Sequence, residues 1–119
     1  MTGGKFLTVI VADQSFALPA ELVSDLVKPQ PITIVPHAPA SVTGIFNLRG
    51  RIVTAIDLRE RLGLPPRAIG APALNIVVDH GGELYALTAD DVDDVIASDE
   101  LTDQGLATLD IIGMLPLSL

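Results

Sequence analysis

The stretch "GIFNLRGRIVTAIDLRERLGL", residues 44–64, decides how the rest of the chain is read. "GIFNL" and "RIVTAI" are both rich in β-branched residues, with Arg49-Gly50 between them. They read as two strands and a tight turn, because Gly50 can take the positive φ that a short hairpin needs. Asp57 can cap a following helix, and Glu60 stands three residues on, at capping-box spacing. Leu58 and Leu62 share one face of that helix, and Gly63 with Pro65-Pro66 ends it. Arg59 and Arg61 are then expected to point away from the apolar face. The stretch and its immediate neighbour Arg67 hold five of the seven cationic side chains; only Lys5 and Lys28 lie elsewhere.

Outward from this unit the chain is mostly strand and turn. "KFLTVIVAD", residues 5–13, reads as a strand, "DQ" as a two-residue turn, and "SFALP" as the returning strand. "PAELVSDLV" has Pro19 in an N1-like place and Leu22 and Leu26 four apart, which allows one or two helical turns; its second half reads equally as a strand. "KPQP" forbids regular structure. "ITIVP" is a short strand, and "HAPAS" a loop or single helical turn. After the connector at 65–73, "LNIVVDHGGELYALTA" is a hairpin on a Gly81-Gly82 turn suited to type I′. "DDVDDVIAS" alternates weakly. "DELTDQG" reads as a polar loop, and "LATLDIIGMLPLSL" as a last apolar run. Turns about every ten residues point to antiparallel barrels or sandwiches.

Composition narrows the function. The chain has 119 residues, 49% of them hydrophobic, which suits one domain with a real core. With no cysteine there is no disulfide framework, thiolate nucleophile or cysteine metal site. No apolar run approaches eighteen residues and no signal-peptide pattern opens the chain, so no membrane insertion is expected. Residues 1–67 hold seven Lys/Arg against five acids, whereas residues 68–119 hold ten acids and no cation. Such an acidic half would repel phosphate backbones, so no nucleic-acid partner is expected. A bipolar surface suits protein partners that need orienting. Acids that merely keep a hydrophobic domain soluble are the simpler explanation on charge alone.

Few residues offer catalysis or metal binding. No serine stands in G-x-S-x-G, and no phosphate-cradling glycine loop occurs. His37 and His80 read as solvated loop histidines. Asp90, Asp91, Asp93 and Asp94 carry oxygen ligands, yet a calcium loop would need glycine where Val95 stands. On a strand they would face both sides, so no metal is expected there. At the 49–50 turn, Arg49 would be exposed and Asn47 would share its strand face. Ile45, Ile52 and Ile56 would anchor the hairpin in the core. A rigid tip with Asn47, Arg49 and an exposed Leu48 or Phe46 has the composition of a protein contact, though a solvated turn arginine is the simpler explanation from spacing alone.

The segment "VPHAPASVTGIFNLRGRIVTAIDLRERLGL" resembles the signature of the CheW family of chemosensory adaptors. Its parts appear in order: Pro36, Ala38-Pro39, Gly44, Asn47-Leu48-Arg49-Gly50, Asp57-Leu58-Arg59 and Gly63. The resemblance spans about residues 5–98 and includes "GGELYALTADDVDDVI". It implies a mainly β, single CheW-like domain of two small antiparallel five-stranded barrels with one or two short helices. Residues 14–66 would form the first barrel, and 1–13 with 67–119 the second. It implies no catalytic activity, cofactor or metal. The implied partners are the cytoplasmic tips of chemoreceptors and the regulatory domain of a CheA-type histidine kinase. The implied location is the cytoplasm, at membrane-associated receptor arrays. By matching position it assigns partner binding to Asn47 and Arg49, with Gly44 shaping the hairpin, and more loosely to Val23 and Asp25 in "LVSDL". Only "ASDELTDQG" separates Ile96 from "LATLDIIGML", where the family has further strands. The second barrel would then be incomplete, its open edges inviting a homodimer or strand swap. A regulatory domain of a larger kinase, a homo-oligomer without partners, and a divalent-metal-binding protein or hydrolase are the competing readings.

Overall fold

The computed structural model describes residues 4–110. In chain order the elements are β1 (Lys5–Val11), β2 (Gln14–Pro19), a single 3-10 turn (Ala20–Leu22), β3 (Val23–Val27), β4 (Val42–Leu48) and β5 (Arg51–Asp57). There follow α1 (Leu58–Arg61), β6 (Leu74–His80), β7 (Glu83–Ala89), β8 (Asp91–Ala97), α2 (Ser98–Gln104) and a two-residue β9 (Ala107–Thr108). The chain is mainly β with two short helices, as expected.

The strands form two sheets, ordered β8-β1-β2-β9 and β3-β6-β7-β5-β4. Neither is a closed barrel, and neither is purely antiparallel. β5 runs parallel to β7, and β2 parallel to β9. Parallel pairing is open to β5 and β7 because α1, the 62–73 connector and β6 separate them, whereas a tight turn forces antiparallel neighbours. For the same reason the sheets do not divide the chain at 14 and 66. Residues Ala12 and Asp13, both at positive φ, close a two-residue turn that keeps β2 against β1. The turn thus lies one residue before "DQ". β6 and β7, in turn, belong with β3, β4 and β5.

A core of Leu7, Val9, Val11 and Leu18 on one side and Ile56, Ile76, Val78 and Leu87 on the other lies between the sheets, with Leu58 beneath it. The five-stranded sheet also buries its opposite face, where Phe46, Val53, Ala55, Val77, Leu84 and Ala86 cluster. Alternate residues of β6 and β7 therefore face two interiors, which is why "NIVV" and "LYAL" are buried throughout without a period of two. This sheet curls on itself, and β3 and β4 are its two edges.

Local signals explain several elements. Asp57 accepts the Arg59 N–H at 3.0 Å and starts α1. Its own N–H goes to the Ser41 carbonyl at 2.8 Å, so Glu60 closes no capping box. The "DELTDQG" segment is a helix rather than a loop. Glu100 accepts the Ala97 N–H at 3.3 Å, Asp99 and Glu100 suit the positive helix start, and left-handed Gly105 ends it. "ITIVP" contributes only a bridge, between Thr33 and Ile45. Residues 111–119 of the last apolar run lie outside the described residues.

A candidate docking hairpin

The β4–β5 hairpin pairs Leu48 with Arg51 across its tip. Arg49 (φ 51) and Gly50 (φ 86) both lie in the left-handed region, as a type I′ turn requires. Asn47 stiffens it: its side-chain oxygen accepts the Gly50 N–H at 2.9 Å. Asn47 is exposed but already has this internal task. Leu48 is half-buried against the Phe46–Val53 core and presents little free surface.

Arg49 is 74% exposed in its side chain, and its Nη1 donates to the Asp25 carboxylate at 2.8 Å. Asp25 also accepts the Leu26 N–H at 2.8 Å. The Arg49 hydrogen bond, and secondarily that backbone N–H, hold the Asp25 carboxyl below its ordinary pKa. Because Asp25 lies on β3 and Arg49 follows β4, this pair bridges the two edges of the curled sheet. Arg51 Nη2 donates to the Gly82 carbonyl at 2.8 Å and ties the tip to the β6–β7 turn.

Gly44 stands at φ +149, where a Cβ would strike the Thr33 carbonyl and the Ile32 side chain. Its role is to let the 32–33 segment lie against β4, which supports the hairpin at a distance. Val23 is half-buried against the inter-sheet core and stands apart from the tip. Thus Asp25 and Arg49 come together, Asn47 and Leu48 support them, and Gly44 and Val23 serve packing.

Two apolar residues near the tip are exposed, against the core role that the sequence reading gives Ile52. Ile52, paired across from Asn47, is 59% exposed rather than a core anchor, and Leu26, next to Asp25, is 42% exposed. Strand alternation relative to Val53 would have placed Ile52 on the opposite face, but not shown that the face is uncovered there.

A second charged cluster was also unexpected. Asp90, between β7 and β8, receives Arg59 Nη2 at 2.5 Å, Arg67 Nε at 2.9 Å and the Ala12 N–H at 2.9 Å. The Arg59 hydrogen bond, followed by those from Ala12 and Arg67, lowers its pKa to about 2 against the cost of burial. Arg59 and Arg67 expose only 16% and 14% of their side chains, so neither is a solvated cation. Asp90 thereby leaves the aspartate array that a metal would have needed. Among the described residues no cluster of three metal-ligating side chains occurs. His37 and His80 are exposed.

Fold and site together define a class: a two-sheet β-domain that displays a stiffened, charged hairpin beside exposed apolar residues. A family model, the CheW-like domain, matches residues 5–110, and the chain belongs to that family. It is 32% identical over 92 residues to "Chemotaxis protein CheW" of Helicobacter pylori, covering 77% of this chain and 56% of the relative. It is 31% identical over 99 residues to the protein of the same name from Bacillus subtilis, covering 83% and 64%. The structure of the "scaffolding protein TtCheW from Thermoanaerobacter tengcongensis" superposes with a TM-score of 0.72 at 33% identity, covering 81% of this chain and 65% of that one. The chain thus spans less than two thirds of the length of these relatives.

Proposed function

We propose that this domain is a non-catalytic adaptor of chemosensory signalling, coupling chemoreceptor tips to a CheA-type histidine kinase. The observation that carries this is the hairpin itself. A type I′ turn held by Asn47 displays Arg49 at the edge of a curled sheet, with Ile52 and Leu26 exposed nearby. An α-helical partner could lay apolar side chains against Ile52 and Leu26 and exchange a carboxylate with Asp25 for the Arg49 guanidinium. Its place of action would be the cytoplasm at receptor arrays; among the described residues no helix is long and apolar enough to cross a membrane.

Calorimetry of the domain with a receptor-tip helical hairpin, and separately with a kinase regulatory domain, tests this. Micromolar binding to at least one is expected, and Arg49→Ala should weaken it by about tenfold, the effect of losing one interface anchor. Binding to neither partner would overturn the reading.

Self-association is a second reading, because β8 is an edge strand whose outer side is unpaired among the described residues. Its charge argues against a second copy as the partner, since pairing two β8 strands would crowd Asp91, Asp93 and Asp94 of each. Light scattering at micromolar concentration should show a monomer; a dimer would restore the alternative.

A further inference from the structure

Away from the hairpin, the curled sheet is hollow at one end. On β5, Val53 and Ala55 sit in its apolar interior, and Asp57 is next on the same face. Val77 and Asn75 on β6, and Ala86 and Thr88 on β7, follow the same alternation. The interior therefore changes from apolar to polar along its length. At the polar end lies a cavity of about 260 Å³, lined by Thr43, Asp57, Arg67, Asn75 and Thr88 and by the β3–β4 connector through Ile32.

One buried side-chain atom there lacks a hydrogen-bond partner among the described residues. Asn75 is 3% exposed, and its amide oxygen accepts the Thr88 hydroxyl at 2.7 Å. That leaves the amide NH2 for the cavity that Asn75 lines. Arg67 Nη2 is buried and makes no hydrogen bond. It stands 2.9 Å from Asp90 Oδ1, so its charge is balanced, but that oxygen lies off the line of its N–H bonds. Buried polar groups without partners are uncommon, and each demands water or a ligand.

The charge around the cavity restricts what fits. Arg59 and Arg67 both pair with Asp90, and nearby Asp57 supplies a second negative charge, so an added ion would be left without a counter-charge. Thr43 and Thr88 already spend their hydroxyl hydrogens, on the Ala55 carbonyl and on Asn75, and retain only acceptor capacity. The walls thus offer donors from Arg67 and Asn75 and acceptors from Asp57 and the threonines.

We propose that this cavity is a binding site for a small neutral molecule bearing a carboxamide. The carbonyl oxygen would accept from Arg67 and Asn75, and the NH2 would donate to Asp57 or a threonine oxygen. The volume is below that of drug-sized pockets, which suits a ligand of on the order of ten heavy atoms or fewer.

The test is a 1H–15N NMR titration of the whole chain with propionamide, with propionate and 2-butanone as its charged and NH2-less counterparts. Saturable shifts at the amides of Thr43, Asn75 and Thr88 are expected with propionamide in the millimolar range. The other two should bind about tenfold more weakly, since the first adds an unmatched charge and the second loses a donor. No saturable shift, shifts confined elsewhere, or equal responses to all three would each overturn the proposal and leave the cavity to water. Asn75→Leu removes the amide at similar volume and should abolish the response. Thr88→Val is the milder second variant, because it frees the amide that Thr88 orients. Full propionamide affinity in either variant, with native spectral dispersion, would also overturn it. None of these readouts depends on a signalling partner.

Discussion

The molecule holds two clusters of opposite charge that look alike in composition and behave differently. At the hairpin tip, Arg49 and Asp25 form one pair, with the arginine 74% exposed. At the junction of the sheets, two arginines and a backbone N–H converge on Asp90, which is 19% exposed in its side chain. In water, a lone pair gains little and is screened by salt. In a partly desolvated knot, each member is costly to orphan. The tip can therefore surrender its partner to another protein, whereas the knot holds β1–β2, α1 and the 65–67 connector to the β7–β8 corner.

The sharpest way to break this comparison is Asp90→Asn. It keeps the shape but removes the carboxylate that both Arg59 and Arg67 bind, and it should cost about 3 kcal/mol of stability. Urea denaturation measures this; a cost below about 1 kcal/mol would reduce the knot to a surface pair.

Acid titration probes the same group. The folded pKa of Asp90, about 2, lies below the ordinary 3.8. Its stabilisation is fully present above the unfolded value and is lost as pH falls from about 4 toward 2. The amount is about 2 kcal/mol by linkage. Thermal melts across that range should steepen for the native chain and lose this component in Asp90→Asn.

Ala12 adds a smaller test. Its N–H binds Asp90, yet its φ is 51, which costs a residue with a Cβ. Ala12→Gly should raise stability by about 1 kcal/mol in the same urea assay. An unchanged midpoint would mean that the turn is unstrained.

Arg49→Ala should be the mildest, changing stability by less than about 0.5 kcal/mol, as exposed substitutions do. A loss of 2 kcal/mol or more would place the tip pair with the knot and erase the contrast.

The difference also marks what was readable in advance. Everything about the hairpin that depends on neighbours in sequence was legible. Arg49-Gly50 announced the turn, Asp57 the helix start and Gly81-Gly82 the second hairpin. Asp25 and Arg49 were singled out through the family resemblance, without a hint that they touch. The knot was invisible because Asp90 is 31 residues from Arg59 and 23 from Arg67. Helix α2 was missed although its signals were present: Glu100 reaches back to Ala97, and Gly105 ends the run. Charged residues there masked a helix whose stability comes from its ends.

By itself the sequence determined most of the strands, the tight turns at 49–50 and 81–82 and the residue types displayed at the tip. These follow from φ preferences, β-branching and capping, which act over a few residues. Only the tertiary structure decided that β5 runs beside β7, that the curled sheet bridges its edges with Arg49 and Asp25, and that Ile52 stays uncovered. It also decided which aspartate among Asp90, Asp91, Asp93 and Asp94 is bound by arginine. Those outcomes depend on which faces meet once the sheets pack, and burial and ion pairing are set by neighbours in space.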